Sequence, residues 1–154
     1  MGLVRGHLHV GIELYKNQYF ENAKRHMKHP KSELYSAMIP TFEAKNTDGF
    51  ALELEDLALT VESDEDLNLV LSKYEILLNA ITENEKIVDS DSSTFGKKVA
   101  LVETLLEIAA EEYAIGIVNG NVKNKFEYQD ALGFTIVAKN ILNEAKLLNS
   151  SENI

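Results

Sequence analysis

The chain is 154 residues long, enough for one domain whose core needs no covalent staples. It is 45% apolar and 26% charged, a globular balance, and it has no cysteine, which removes disulfides, thiolate metal sites and cysteine nucleophiles. Lys and Arg number 15 against 25 Asp and Glu, for a formal charge of −10, and no basic stretch offers a surface for phosphates, so nucleic acid is not an expected partner.

Helical spacing runs through the whole sequence. Residues 2–17 put Leu3, His7, Val10 and Leu14 on one face, and Asn17-Gln18 marks a turn. Residues 19–29 return as a second helix, on which Asn22, His26, His29 and Glu33 share a face. Pro30 cannot donate to the helical ladder, so a kink or a fresh helix start is expected there. A short helix follows from about Lys31 to Glu43, bent or ended near Pro40. Asp48 resembles an N-cap, with Phe50, Leu54, Leu57 and Val61 at core spacing. Ser63-Asp64-Glu65-Asp66 reads as the capped start of a helix carrying Leu67, Val70, Leu71, Tyr74, Leu78 and Ile81 to about Ile87.

Asp89-Ser90-Asp91-Ser92-Ser93 is a polar linker candidate. The longest helix is expected from about Thr94 to Ile117, with Val99, Val102, Leu106, Ala109 and Tyr113 inward. Asn119-Gly120-Asn121 is a turn signal, and the helical periodicity on both sides makes it a helix–helix connection rather than a β-hairpin. The last helix covers residues 124–147, with Tyr128, Ala131, Phe134 or Thr135, and Ala138 toward the core. The expected class is all-α: one helical-bundle domain over 1–148, built from two helical hairpins plus two or more middle helices, with a flexible tail at 149–154. No apolar run approaches the roughly 20 residues of a membrane span. Met1-Gly2 runs straight into the first helix, which fits a cytoplasmic protein or a mature exported form with its leader removed.

All four histidines, His7, His9, His26 and His29, fall in the first hairpin. A turn centred between residues 17 and 18 sets His9 opposite His26, and His7 at the level between His26 and His29. Imidazole is the commonest protein ligand for transition metals. His7 lies on the inward stripe, so His7, His26 and His29 are the expected ligands. His9 points roughly 200° away from His7. Glu13 or Glu33 could complete the set, Glu33 with the better claim because it stands one turn beyond His29. The bland alternative is a helical protein-interaction module in which the histidines are structural and bind no metal.

The second hairpin repeats the arrangement with acids. A turn centred near residue 120 sets Glu112 opposite Glu127, with Asp130 one turn further along beside Ala109. Facing carboxylates inside a bundle repel unless they share a proton or a cation, and bundle interiors are where helix-borne Glu and His build metal sites. Against this stands the ordinary fate of helical acids, which is exposure to water. On that view Glu111, Glu112, Glu127 and Asp130 are a solvated face.

The stretch Ala109-Ala110-Glu111-Glu112-Tyr113, then Asn119-Gly120, then Glu127-Tyr128-Gln129-Asp130-Ala131 and Gly133-Phe134, resembles the extracytoplasmic helical domain of bacterial high-affinity iron permeases. The stretch Gly6-His7-Leu8, Gly11, Glu13-Leu14, Ala23, His26, His29-Pro30 and Glu33-Leu34-Tyr35 is similar to small uncharacterised proteobacterial helical proteins, usually exported. The resemblance implies a periplasmic, all-helical, iron-related protein whose partner is a membrane permease or another uptake component. Without a membrane segment the chain cannot transport by itself, which leaves binding, delivery or sensing.

Mixed His and carboxylate ligation suits Fe, Mn, Zn and Cu and discriminates poorly among them. Iron is favoured over copper or zinc by the resemblance alone. Enzymatic chemistry has little support: di-iron oxidases need Glu-x-x-His pairs on two helices, and neither those nor a phosphate loop, a nucleophile elbow or a His-Glu-x-x-His motif is present.

Overall fold

The computed structural model describes residues 1–89 and 94–151. Helical periodicity becomes seven α-helices: α1 (Gly2–Lys16), α2 (Phe20–His29), α3 (Tyr35–Lys45), α4 (Ala51–Glu62), α5 (Leu67–Val88), α6 (Phe95–Gly116) and α7 (Lys125–Ser151). A π-helical turn, Pro30–Leu34, joins α2 to α3, and a minimal ladder of β1 (Ile117–Val118) and β2 (Asn121–Val122) joins α6 to α7. The all-α class stands. The linker expected at 89–93 lies, beyond Asp89, outside the described residues, and so does the end of the tail from residue 152, while α7 itself continues to Ser151. No helix among the described residues is long and apolar enough to cross a membrane.

The chain forms two compact units, one of Met1 and His7–Ser90, the other of Gly2–Gly6 and Asp91–Ile154. In the first, α1 ends at Asn17 and the chain reverses through Gln18 at φ 64, so that α2 runs back. Gly11 permits a close approach of the two helices, since a Cβ there would sit 2.8 Å from the Met27 methyl. The Tyr15 hydroxyl donates to the Glu65 carbonyl at 2.5 Å, and Lys24 reaches the Asp64 carboxylate at 2.9 Å. Both contacts tie the α1–α2 hairpin to the turn between α4 and α5.

Capping decides the starts of the middle helices. Asp66 accepts a hydrogen bond from the Asn68 N–H at 2.8 Å and so satisfies a donor that the first turn leaves over. Asp48 does not cap α4, which starts from Phe50 instead. The Phe50 N–H is taken by the Tyr35 hydroxyl at 3.1 Å, within a buried cluster of Tyr35, Phe42 and Phe50. The helix does not end at Pro40: α3 passes through it. Pro40 and Ser36 are exposed, so water can satisfy the carbonyl that the missing N–H frees.

In the second unit α6 and α7 form a hairpin closed by Val102, Leu105, Val137 and Ala138, with Leu3, Ile141 and Leu142 packed against them. Lys98 and Glu144 pair at 2.9 Å near its open end. At the other end Asn119 and Gly120 both take positive φ, 52 and 73, the combination a two-residue β-turn of the primed type requires. The connection is thus both things at once: a helix–helix turn built as a β-hairpin two residues deep.

The inward stripe of α6 differs from expectation. Val102, Leu105 and Ala109 are buried, whereas Val99, Leu106 and Tyr113 face outward, Tyr113 half exposed. On α7 Ala131, Phe134 and Ala138 are buried, while Tyr128 and Thr135 are exposed. Both helices carry two adjacent apolar stripes, and periodicity cannot say which of two such stripes packs inward.

Candidate metal sites

The α1–α2 hairpin brings three of its four imidazoles together. Ring centroids are 6.2 Å apart for His7 and His26, 5.5 Å for His7 and His29, and 6.5 Å for His26 and His29. His7 and His26 are buried, His26 completely, and His29 is partly so. Helix phase produces this: His7 shares the inward side of α1 with Val4 and Leu8, and His26 and His29 are three residues apart on one face of α2. His9 is half-buried, and two residues along a helix from His7 it projects to another side.

Each of His7 and His26 offers a nitrogen within 4.8 Å of the other's. Two nitrogens on one ion, bonded at about 2.0–2.1 Å, stand roughly 3.3 Å apart. His29, whose ring stands beside theirs, does not bring a nitrogen within 4.8 Å of both.

The π-helical turn begins immediately after His29. Pro30 supplies no N–H, and the wider turn carries Glu33 round until its carboxylate lies 3.8 Å from His29 Nε2. Glu33 is mostly exposed. It reaches the outer side of the set, in position to fix the His29 ring as carboxylates do behind metal-bound histidines.

In the second unit Glu112 and Glu127 face each other across the α6–α7 turn and share a hydrogen bond. Burial, then Glu127, then the charges of Asp130 and Glu111 push the Glu112 carboxyl up from 4.5 to about 7. A second carboxylate facing it makes the Glu112 carboxyl easier to protonate than a free one. Glu127 also accepts from the Asn124 side-chain amide at 3.1 Å, and Asp130 is buried to 1% exposure. Tyr113 and Tyr128 stand alongside with ring centroids 6.1 Å apart.

Gly116 makes this approach possible. A Cβ there would fall 2.7 Å from the Tyr128 backbone nitrogen, so a larger residue would separate the ends of α6 and α7. The first hairpin's Gly11 was visible in the sequence only as part of a resemblance. The only sequence signal for Gly116 is its place four residues before Gly120.

Among known proteins, residues 89–153 match the model of the iron permease-associated 4-helix bundle domain. The match includes Glu112, Glu127 and Asp130 and, among the described residues, helices α6 and α7. No curated protein and no solved structure matches the chain. The resemblance to the helical domain of iron permeases is thus borne out over residues 89–153.

Proposed function

We propose that this protein binds a transition-metal ion for uptake or handling, iron ahead of copper or zinc, with His7, His26 and His29 as ligands. The convergence of three imidazoles from two helices, in a chain with no other histidine beyond His9, carries the reading. The ion is cargo. Neutral imidazoles take it up without burying a net ligand charge, and the covering apolar side chains slow its loss to water. Glu33 steadies His29 and offers a further oxygen. Glu112, Glu127 and Asp130 form a second, oxygen-rich set that releases its shared proton when a cation enters. Hard oxygen donors suit ferric iron better than copper, and this set is where iron selectivity would reside.

The matched domain's printed association with iron permeases supports a place in iron uptake, and with it a periplasmic location and a membrane permease or other uptake component as partner. The test is elemental analysis of tag-free protein, followed by titration with ferrous, ferric, cupric and zinc ions. About one equivalent held through dialysis and lost in the His26→Asn variant supports the proposal. Protein that stays metal-free under all four ions is a helical interaction module with structural histidines.

A further inference from the structure

A groove of about 480 Å³ runs along the outer side of the α6–α7 hairpin. Leu106, Ala110 and Tyr113 line it from α6, and Tyr128, Leu132 and Thr135 from α7. It is the stripe expected to be core, turned to the surface: Leu106 is 45%, Tyr113 51% and Leu132 55% exposed. Leucines and tyrosines at successive helical turns on both walls make one continuous apolar strip rather than scattered surface residues.

The charges beside the groove differ by helix. Along α6 the exposed flank is acidic, with Glu103, Glu107 and Glu111 at four-residue spacing. Along α7 it is basic: Lys125, Leu132, Lys139 and Lys146 recur every seven residues and form one row. A surface with an apolar strip between an acidic edge and a basic edge is complementary to itself. Isologous two-fold association demands this property.

We propose that the groove is covered by a second copy of this chain, packed face to face about a two-fold axis parallel to the hairpin. Each α6 then lies over α7 of the other copy, and the two hairpins make one antiparallel four-helix bundle. The alternative axis, perpendicular to the helices, would stack α6 on α6 and set acid against acid.

Register follows from the hairpin itself. An axis along the helices preserves height, so a residue of α6 meets in the partner the level it already meets in its own chain. That level is set by Lys98 with Glu144 and by Tyr113 with Tyr128. Glu103 then stands level with Lys139 of the other copy, the pair formed twice, and Glu111 lies about one and a half turns from Lys125.

Sedimentation equilibrium or light scattering of the full chain, from about 1 to 100 μM, is the test. The wild type is expected to be a dimer that weakens as salt rises. Leu106→Gln with Leu132→Gln should give a monomer of unchanged helix content. Because Glu103 and Lys139 are exposed, their variants keep the fold whatever becomes of the groove pair. Lys139→Glu should weaken the dimer at least tenfold, and adding Glu103→Lys to it should restore association. A wild type that stays monomeric to 100 μM, or a dimer indifferent to both the groove and the charge variants, overturns the proposal.

Discussion

The two hairpins solve the same packing problem and arrive at different chemistry. In α1–α2 a glycine meets a flexible side chain, Met27, and the helices bring three imidazoles together, two of them buried. In α6–α7 a glycine meets backbone at Tyr128, and the helices hold facing acids that tolerate each other only by keeping a proton. Imidazoles can be buried together because each is neutral when unprotonated, whereas carboxylates brought together must be neutralised.

The largest expected effect is at the histidines. His26→Ala removes a fully buried proposed ligand, so the equivalent held at the histidines should be lost while unfolding stability drops by on the order of 3 kcal/mol, as for other large-to-small core changes. His26→Asn keeps more of the volume and separates the two losses. His9→Ala should leave the metal content unchanged. Equal losses at positions 9 and 26 would show that the hairpin register assigned here does not govern binding.

That contrast also shows what was legible in the residues. Helix periodicity and turn chemistry place His7, His26 and His29 together without further help, because both depend on local spacing alone. Opposition of Glu112 and Glu127 follows from the same counting around Asn119-Gly120. Three things were not legible. The exposed stripe through Leu106 and Tyr113 was expected inward, because α6 is apolar on two adjacent faces and only tertiary packing chooses. Passage of α3 through Pro40 rests on solvent exposure, which spacing does not encode. The π-helical turn after His29, which brings Glu33 to the imidazole, is a detail of backbone width that no residue pattern announces.

The glycines sharpen the comparison at intermediate size. Gly116→Ala drives a Cβ into backbone, where nothing can rotate away, and should destabilise by about 1–3 kcal/mol. It should also separate Glu112 from Glu127. Gly11→Ala meets only the end of Met27, and the helix gain of about 0.5–1 kcal/mol for alanine offsets the rearrangement, leaving stability near that of the wild type. Thermal or urea unfolding of the two variants reads this directly. A larger loss at position 11 than at 116 would reverse the order of rigidity assigned to the two hairpins.

Replacing the acids separates the two sites functionally. Glu112→Gln with Glu127→Gln should leave the equivalent of metal at the histidines in place and abolish any second equivalent. If total binding is unaltered, the carboxylates hold no cation and the second hairpin is scaffold.

The smallest effect is the pH dependence of the acid pair, and its sign is definite. The Glu112 carboxyl is raised from 4.5 to about 7 by burial, the Glu127 hydrogen bond and the charges of Glu127, Asp130 and Glu111. Between these values the folded state holds a proton that the unfolded chain has lost, so stability falls as pH rises through that window. The contribution is complete below about pH 4.5 and gone above about pH 7. Its size is on the order of 1 kcal/mol, because the pair is only half-buried and water screens it. Glu112→Gln carries a permanent neutral donor in place of the proton. It should flatten the slope between pH 5 and 7 by about that amount and make the protein more stable than wild type at pH 8. A slope that survives the substitution would mean that Glu112 and Glu127 share no proton, and that the second hairpin meets its acids with solvent, as ordinary helices do.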